Sequence, residues 1–306
     1  MRRPLTALAA VALTVGLAAT AVLASGYRPF RADAGQAITV QRAHAGAAEP
    51  SFKRRITFLV VGSDSGAPKF GRGGTAERGR ADSIHLIVLD PVRKQGIVLG
   101  FPRDSYVPIA GHGTGKITGA MAFGGPPLLI NTVERLTGIN VDYWVVTSFD
   151  GLSDMVSKVG GVQVNVDMNI DDHAAGANLR RGPQRLGGAS ALGYARARKS
   201  VPGGDFTRSR HQGQILLGGL ATFQKQTKAD PARVMKWLAI MNDEVKTDLP
   251  VGELLRLALL ARTFPPSRLN NVVVPGVGAT AGGASIVRLT GSAYPLFARV
   301  RAGQYR

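Results

Sequence analysis

The stretch "GYARARKSVPGGDFTRSRHQ", residues 193–212, concentrates positive charge beside a single acid, Asp205. Its cations are Arg196, Arg198, Lys199, Arg208 and Arg210. Like charges at this density repel each other, so a folded segment needs an anion, whereas a solvated basic loop tolerates the repulsion. Guanidinium groups form bidentate, charge-assisted hydrogen bonds to phosphate oxygens, and a pyrophosphate can use several of them. An anion site and a solvated loop both remain open on this pattern alone.

The spacing of Arg196 and Arg198 constrains the local backbone. Residues two apart on a helix point roughly 200° from each other, because each residue turns the helix by about 100°. Both arginines therefore serve one ligand only if the helix has ended or the chain continues in extended form. Gly203–Gly204 then turns the chain toward Asp205.

Two acids stand beside apolar runs that are typical of strands. Asp64 follows one run in "VVGSDSG", residues 60–66, and Asp82 precedes the next in "RGRADS", residues 78–83. If these strands are neighbours, both carboxylates reach the same edge of the sheet, where α/β proteins often bind ligands. Two carboxylates and phosphate oxygens suit Mg²⁺, which prefers hard oxygen ligands. The alternative is that Asp64 is a turn residue and Asp82 a strand cap.

Arg103 and Asp104, in "FPRDSYVPI", residues 101–109, emerge near the same edge after a third strand. The alternative is a surface ion pair, worth roughly 0–1 kcal/mol. The glycine-rich stretch "GHGTGKITGAMAFGG", residues 111–125, surrounds Lys116, but Ile117 follows the lysine. It therefore lacks the spacing of a nucleotide-binding P-loop.

The remaining pattern predicts an α/β protein that mixes strands and helices in a single domain over residues 51–306. Strands are expected at 55–62, 83–90, 96–102, 141–149, 162–167, 270–276 and 284–289, with a hairpin joining the second and third. Helices are expected at 127–139, 150–161, 188–198, 210–226, within 231–263 and near 291–302.

The N-terminus predicts a membrane anchor over residues 1–25 and a tether over 26–50. Arg2 and Arg3 precede an uncharged run from Pro4 to Ser25, and about 20 apolar residues span a bilayer. The arginines favour a cytoplasmic N-terminus. A cleavable signal peptide, cut near Ala24, is the alternative. Either one places the rest of the chain outside the cytoplasmic membrane.

Composition narrows the partners. The 306 residues carry 38 basic and 20 acidic side chains, a net charge of +18 that favours polyanions. The absence of cysteine excludes disulfides and cysteine nucleophiles. There is no G-x-S-x-G elbow of the hydrolase type. Aromatic residues are not interleaved with the basic ones, as single-strand platforms require, and no nucleic-acid partner is expected.

Several segments together resemble the LytR–CpsA–Psr family over about residues 60–263. They are "VVGSDS", "RADSIHLIVLDP", "GFPRDSYVPI", "KITGAMAFGG", "VERLTGINVDYWVVTSFDGLSDMVSKVGGVQVNV", "LGGASALGYARARK" and "GDFTRSRHQ". The resemblance implies a three-layer-like sandwich with a central mixed sheet flanked by helices, and a hydrophobic channel for a lipid. It also implies a membrane-anchored, extracytoplasmic phosphotransferase that moves a glycopolymer from polyprenyl pyrophosphate to peptidoglycan.

Residue by residue, the resemblance implies distinct roles. Asp64 and Asp82 match acids that bind Mg²⁺, with Mn²⁺ as an alternative ion. The basic residues matched around the pyrophosphate are Arg80, Arg103, Arg196, Arg198 and Arg208. Lys116 matches the lysine of a "KI" motif, and Asp104 and Asp205 match acids that orient arginines. Lys116 and Asp205 are also expected among the residues that bind the pyrophosphate. Asp104 is also the best candidate for a general base. Arg103, Asp104, Arg196 and Arg198 are the expected catalytic set.

The chain departs from the family pattern at two positions. Gly66 stands where an arginine is common, and Arg72 or Arg78 is close enough in sequence to compensate. His211 stands where a second arginine is usual, beside Arg210. A phosphate contact from His211 would be weaker or dependent on pH, because histidine is only partly charged near neutrality.

The sequence thus predicts glycopolymer transfer to a peptidoglycan sugar hydroxyl. Two alternatives remain open. One is hydrolysis of the pyrophosphate with water as acceptor. The other is a non-catalytic module that binds a polyanion or regulates.

Overall fold

A six-stranded mixed sheet lies at the centre of the computed structural model, which describes residues 54–64 and 79–306. Its strands are β1 (Ile56–Ser63), β2 (Ala81–Asp90), β3 (Gln95–Gly100), β6 (Tyr143–Ser148), β11 (Val245–Thr247) and β12 (Leu269–Val273). They are ordered β11-β6-β1-β2-β3-β12. The pairs β1–β6 and β3–β12 are parallel, and the other three pairs are antiparallel. The mixed central sheet predicted from the sequence is confirmed.

Short hairpins and helices complete the described part. The strand pairs outside the main sheet are β4 (Tyr106–Ile109) with β5 (Gly113–Lys116), β7 (Val162–Val166) with β10 (Gly182–Leu186), β8 (Ile170–Asp172) with β9 (Ala177–Leu179), and β13 (Gly276–Ala281) with β14 (Ala284–Leu289). The helices are α1 (Thr118–Thr137), α2 (Phe149–Lys158), α3 (Gly188–Arg196), α4 (Asp205–Ala229), α5 (Arg233–Glu244), α6 (Val251–Ala261) and α7 (Ala293–Arg301). A 3₁₀ turn occupies Pro266–Arg268.

The two faces of the central sheet are packed differently. One face builds the main core with α1 and α7, and its side chains, including those of Leu86, Leu129 and Phe297, are fully buried. The opposite face holds a smaller buried group that packs with only partly buried apolar side chains from β1, β2, β6 and α6. Those partly buried residues are Val60, Ile87, Leu89, Val145, Leu254, Leu257 and Leu260. This second face is therefore apolar but incompletely covered.

Helix α4 approaches its neighbours closely through glycines. A Cβ at Gly218 would lie 2.3 Å from the carbonyl oxygen of Gln163 in β7, and a Cβ at Gly213 would lie 2.1 Å from Oδ1 of Asn271 in β12. His85 Nε2 in β2 donates to the Ser209 carbonyl of α4 over 3.0 Å. Burial lowers the pKa of His85 to about 4, so this buried ring is neutral near pH 7. These contacts hold α4 against β2 and β12 of the central sheet and against β7.

Most predicted elements are present, and four differ. The helix expected at 127–139 begins at Thr118, and the helix expected at 210–226 runs from Asp205 to Ala229. The helix expected at 150–161 begins at Phe149 and is capped by Ser148, whose Oγ accepts the Gly151 N–H. The last predicted strand, β14, pairs with β13 in a hairpin and does not join the central sheet.

The predicted membrane anchor, residues 1–25, and the tether, residues 26–50, lie outside the described residues. Among the helices at 54–64 and 79–306, none combines the length and apolar character needed to cross a bilayer.

The glycine contact of α4 leads to a stability prediction. Gly218→Ala should lower the free energy of unfolding by about 1–3 kcal/mol, because the methyl group meets a backbone carbonyl that cannot move alone. Gly219→Ala is the matched control, since no atom from another part of the described chain lies within 4 Å of its added Cβ. It should be neutral or stabilise by up to about 1 kcal/mol. Chemical denaturation of both variants measures the difference, and equal effects would contradict the close packing.

Candidate active site

A β-bulge on β2 positions Asp82, one of the two predicted metal-binding acids, and the other, Asp64, directly follows the last residue of β1. Strands β1 and β2 are antiparallel neighbours, as expected, with Gly62 paired to Ser83 and Ser63 paired to Ala81. Asp82 is the extra residue on β2, and bulges commonly redirect a side chain near a functional site. Asp64 is tied to the residue before β2 by two hydrogen bonds. Its Oδ1 accepts the Arg80 N–H over 2.7 Å, and its own N–H donates to the Arg80 carbonyl.

Asp82 holds the first predicted catalytic arginine. Arg103 NH1 donates to Asp82 Oδ1 over 2.7 Å. Burial works to lower the pKa of Arg103, but the hydrogen bond and the charge of Asp82, with Asp104 and Asp205 nearby, raise that pKa overall. Arg103 Nε is buried and has no hydrogen-bond partner within the described chain. The guanidinium is thus permanently charged and retains a free donor.

The chain leaves helical geometry directly after Arg196. Helix α3 ends there, and Ala197 has φ −55° and ψ 121°, which is not helical. The helix therefore ends between Arg196 and Arg198, as it must if both arginines are to bind one ligand. Arg196 lies over the ring of Phe149, with its Cζ 5.4 Å from the ring centroid. The extended segment is held by Asp172, whose Oδ2 accepts the backbone N–H groups of Arg198 and Lys199, each over 3.1 Å.

Asp172 positions the backbone of Arg198 and Lys199, and no sequence motif predicted this role. Burial works to raise the pKa of its carboxyl, but hydrogen bonds from the backbone of Arg198, Ala175, Ser200 and Lys199 hold that pKa below its usual value. Its position on the short strand β8 carries no local motif, so only the tertiary contact reveals it.

These elements converge on one pocket, the arginine pocket, defined by Asp82, Arg103, Arg196, Arg198 and Arg208. Lys199 and Gln212 also line it. Gln212 Nε2 donates to the Ala195 carbonyl over 3.1 Å and to the Asp82 carbonyl over 3.3 Å, so it ties α4 to α3 and β2. Four arginines and a lysine thus line this pocket against two acids, Asp82 and Asp172, and the positive excess suits a multiply charged anion.

Arg208 and Asp205 form a buried ion pair in the first turn of α4, with side chains 8% and 10% exposed. Burial raises the pKa of the Asp205 carboxyl, with the charge of Asp104 acting in the same direction. Burial also lowers the pKa of Arg208, although Asp205 opposes the shift, and Arg103 and Arg198 add repulsion. Burial therefore disfavours both charged forms, and each partner of the ion pair opposes the pKa shift of the other.

A second pocket adjoins the arginine pocket, since Arg103 and Arg198 line both. We define the second pocket by Arg80, Asp104, Lys116, Thr118 and Phe123. Lys116 Nζ lies 2.9 Å from Asp104 Oδ1, which orients the carboxylate of the predicted general base. Arg80 and Lys116, expected around the pyrophosphate, thus line the second pocket rather than the arginine pocket.

His211 does not line either pocket. Its side chain is 0% exposed, stacks on Tyr194 with ring centroids 4.1 Å apart, and places Nε2 3.0 Å from Asp167 Oδ1. Burial lowers the pKa of His211, although the charge of Asp167 opposes the shift. The expectation that His211 contacts pyrophosphate is therefore not supported by its position, because the ring packs inside the α3–α4 interface. Arg210 also turns to Asp167, over 2.7 Å.

The acids present can contribute to a cation site but do not build a complete one alone. Among the described residues, no three His, Cys, Asp or Glu side chains form a metal-binding group. Asp64 and Asp82 each use Oδ1 for a contact with the protein. Mg²⁺ is often held by one or two carboxylates together with substrate phosphates and water. Asp82, which lines the arginine pocket, fits a site that the substrate completes, whereas Asp64 lines neither of the two pockets.

Comparison with known proteins adds a family and a fold. The model of the LytR_cpsA_psr family matches residues 31–295. The chain is 31% identical over 233 residues to the Bacillus subtilis polyisoprenyl-teichoic acid–peptidoglycan teichoic acid transferase TagV, covering 73% of this chain and 57% of the relative. It is 30% identical over 223 residues to the Enterococcus faecalis transferase TagU, covering 72% of this chain and 70% of the relative.

A solved structure shares the fold. The crystal structure of B. subtilis TagV superposes with a TM-score of 0.71 at 26% identity, covering 83% of this chain and 99% of that chain.

The position of Asp172 leads to a prediction that links the site to stability. Asp172→Asn should cost about 1–3 kcal/mol near pH 7, because an amide cannot accept from all the backbone donors that the carboxylate serves. The folded-state pKa is depressed, so this contribution is present above the ordinary aspartate pKa and is lost as the pH falls through the folded value. The difference between wild type and variant should therefore narrow in acid.

Denaturation curves from pH 7 down to about 3 measure this effect. The control is Asp171→Asn, because Asp171 is exposed and its partner, His173, is also exposed. An equal loss in both variants, or a difference that does not change with pH, would contradict the role of Asp172.

Proposed function

The chain belongs to the LytR–CpsA–Psr family, and on that premise we propose that it transfers a phosphate-linked glycopolymer from a polyprenyl-pyrophosphate carrier to a peptidoglycan sugar hydroxyl. Relatives named as teichoic acid transferases that act on peptidoglycan support this class of reaction. The observation that carries the proposal is the arginine pocket, which is lined by four guanidinium groups from three separate chain segments and by Asp82.

The arginine pocket binds the pyrophosphate of the donor. Arg103, Arg196 and Arg198 supply charge-assisted hydrogen bonds to its oxygens, and Arg208 adds charge from the buried first turn of α4. These groups are already in place before the reaction, and positioning with electrostatic stabilisation dominates catalysis of phosphoryl transfer. The bound anion would also relieve the repulsion among Arg103, Arg198 and Arg208.

The reaction is one displacement at phosphorus. The acceptor hydroxyl oxygen attacks the phosphorus atom that carries the glycopolymer, and a new P–O bond forms a phosphodiester. The bond from that phosphorus to the bridging oxygen breaks, and polyprenyl phosphate leaves with the electron pair. Asp104 takes the proton of the hydroxyl as general base, with Lys116 2.9 Å away to orient it.

The incompletely covered face of the sheet accommodates the lipid. The side chains of Val60, Ile87, Val145 and Leu257 are apolar yet only partly buried between the sheet and α6. Ser83, His85 and Ile87 are each two residues apart on β2, so their side chains lie on the same face of the sheet. Ser83 is also the neighbour of Asp82 in the sequence. An isoprenoid chain entering beneath the arginine pocket would bury this surface, at about 25 cal/mol per Å².

Asp64 and Asp82 would hold Mg²⁺, or Mn²⁺ in its place, together with the pyrophosphate oxygens. The ion would neutralise part of the negative charge on the phosphates. We also propose that residues 1–25 anchor the protein in the cell membrane with the N-terminus in the cytoplasm, so that the catalytic domain acts outside the cell.

The arginine pair provides the first test of this function. Arg196→Ala with Arg198→Ala should reduce transfer at least about 100-fold, because each group stabilises charge that develops in the transition state. The matched control is Arg180→Ala with Arg181→Ala, which removes the same charge from exposed positions. Transfer of a labelled lipid-linked glycopolymer to peptidoglycan is measured, with circular dichroism to check folding.

The outcomes separate transfer from hydrolysis. Near wild-type transfer by a folded double variant would refute the assignment of the pocket. Release of free glycopolymer phosphate at the same rate with and without peptidoglycan would identify a pyrophosphatase instead.

The metal proposal has its own test. A chelator should abolish transfer and added Mg²⁺ should restore it. Asp64→Asn should raise the Mg²⁺ concentration for half-maximal activity about tenfold or more, because the amide keeps the oxygen that accepts from Arg80 but loses the charge. Asp243→Asn, at an exposed position of α5, is the control. Unchanged Mg²⁺ dependence in Asp64→Asn would contradict the metal role of this acid.

A further inference from the structure

We propose that the second pocket is the binding site for the acceptor glycan, with Phe123 and His112 as a stacking platform for a sugar ring and Thr118 as a hydrogen-bonding group. This inference rests on the proposed function and extends it, because it names the substrate that the second pocket takes and the residues that hold it.

Phe123 is exposed in a way that packing does not require. Its ring is 59% exposed and stacks on His112, with centroids 4.5 Å apart and planes 11° apart. Both residues line the second pocket. Ligand pockets are commonly lined by aromatic side chains together with a few polar groups. The face of the Phe123 ring that His112 does not cover has negative electrostatic potential, which suits the C–H groups on one face of a pyranose.

The backbone around Phe123 is built to present it. The helical path of α1 is interrupted directly after Phe123, at Gly124 and Gly125, and Gly125 has φ 64° and ψ −161°. Pro126 and Pro127 follow, and neither offers an N–H that would let the helix continue smoothly. On the other side, His112 lies at the tip of the β4–β5 hairpin between Gly111 and Gly113, both at positive φ.

The buried hydroxyl of Thr118 independently indicates that a polar ligand group belongs in the second pocket. The residue is only 8% exposed, lines the second pocket, and its Oγ1 has no hydrogen-bond partner within the described chain. A buried hydroxyl without a partner costs about 1–3 kcal/mol. A sugar hydroxyl or acetamido group in the pocket would supply that partner.

The position of the general base favours the acceptor over the donor as occupant. Asp104 lines the second pocket but not the arginine pocket, while Arg103 and Arg198 line both. A general base must lie within hydrogen-bonding reach of the hydroxyl whose proton it removes. The acceptor therefore approaches through the second pocket and meets the donor phosphorus at Arg103 and Arg198.

A binding experiment tests this assignment without relying on turnover. The probe is a soluble glycan of alternating N-acetylglucosamine and N-acetylmuramic acid, titrated into the full chain and followed by calorimetry. Phe123→Ala should weaken binding about fivefold or more, and Thr118→Val should weaken it without loss of the fold. Tyr294→Ala is the matched control, because Tyr294 is 57% exposed and lies outside both pockets. It should bind as the wild type does.

A second titration separates the acceptor from the donor. Farnesyl pyrophosphate should bind wild type and Phe123→Ala equally, and in transfer assays Phe123→Ala should raise KM for peptidoglycan while KM for the lipid-linked donor stays unchanged. Equal glycan affinity in Phe123→Ala and wild type would overturn the proposal. So would a rise in KM for the donor alone, which would place donor sugars in this pocket. Glycan binding that depends on Phe123 in a protein without transferase activity would instead refute only the proposed function.

Discussion

The accumulation of positive charge around Asp82 is the constraint on which the rest of the site depends. Arg103, Arg196, Arg198 and Arg208 line one pocket, and their mutual repulsion must be held in check by the fold before any ligand binds. Asp82 neutralises Arg103 directly, and Asp205 neutralises Arg208 inside the first turn of α4. Asp172 acts through the backbone and fixes the extended segment that carries Arg198. The acids restrain the arginines but leave a net positive pocket for an anion.

The scaffold explains how residues so distant in sequence stay aligned. The bulge on β2 directs Asp82, the end of α3 releases Arg198 from the helix, and glycine contacts set α4 tightly against β7 and β12. Gln212 in α4 bridges α3 and β2, so the segments that carry Arg208, Arg196 and Asp82 are hydrogen-bonded to one another. Arg103 joins them through its ion pair with Asp82. Displacement of α4 would therefore disturb Arg208, Gln212 and the Ala195 carbonyl together.

The sequence predicted the parts of this architecture that depend on local pattern. Apolar runs identified the sheet strands and the β2–β3 hairpin, and the spacing of Arg196 and Arg198 required the break in helix geometry at Ala197. It did not predict Asp172, because backbone donors from separate parts of the chain meet that acid only in the folded protein. It predicted a phosphate contact for His211 because an arginine is usual at that position of the family pattern, whereas burial against Tyr194 and Asp167 decides the orientation of the ring. The sequence also did not predict the exposure of Phe123. Its position depends on the break in the helix at Gly124–Gly125 and on the stacking of its ring on His112 in the β4–β5 hairpin.

The central claim is that the arginine pocket holds a diphosphate. A crystal structure of the protein soaked with a polyprenyl pyrophosphate and Mg²⁺ tests it most directly. We expect both phosphoryl groups within hydrogen-bonding distance of Arg103, Arg196 and Arg198, the cation between the diphosphate and Asp82, and the isoprenoid against Ile87 and Leu257. A diphosphate bound at another surface, with Asp82 and Arg103 still paired only to each other and the apolar face vacant, would contradict the account.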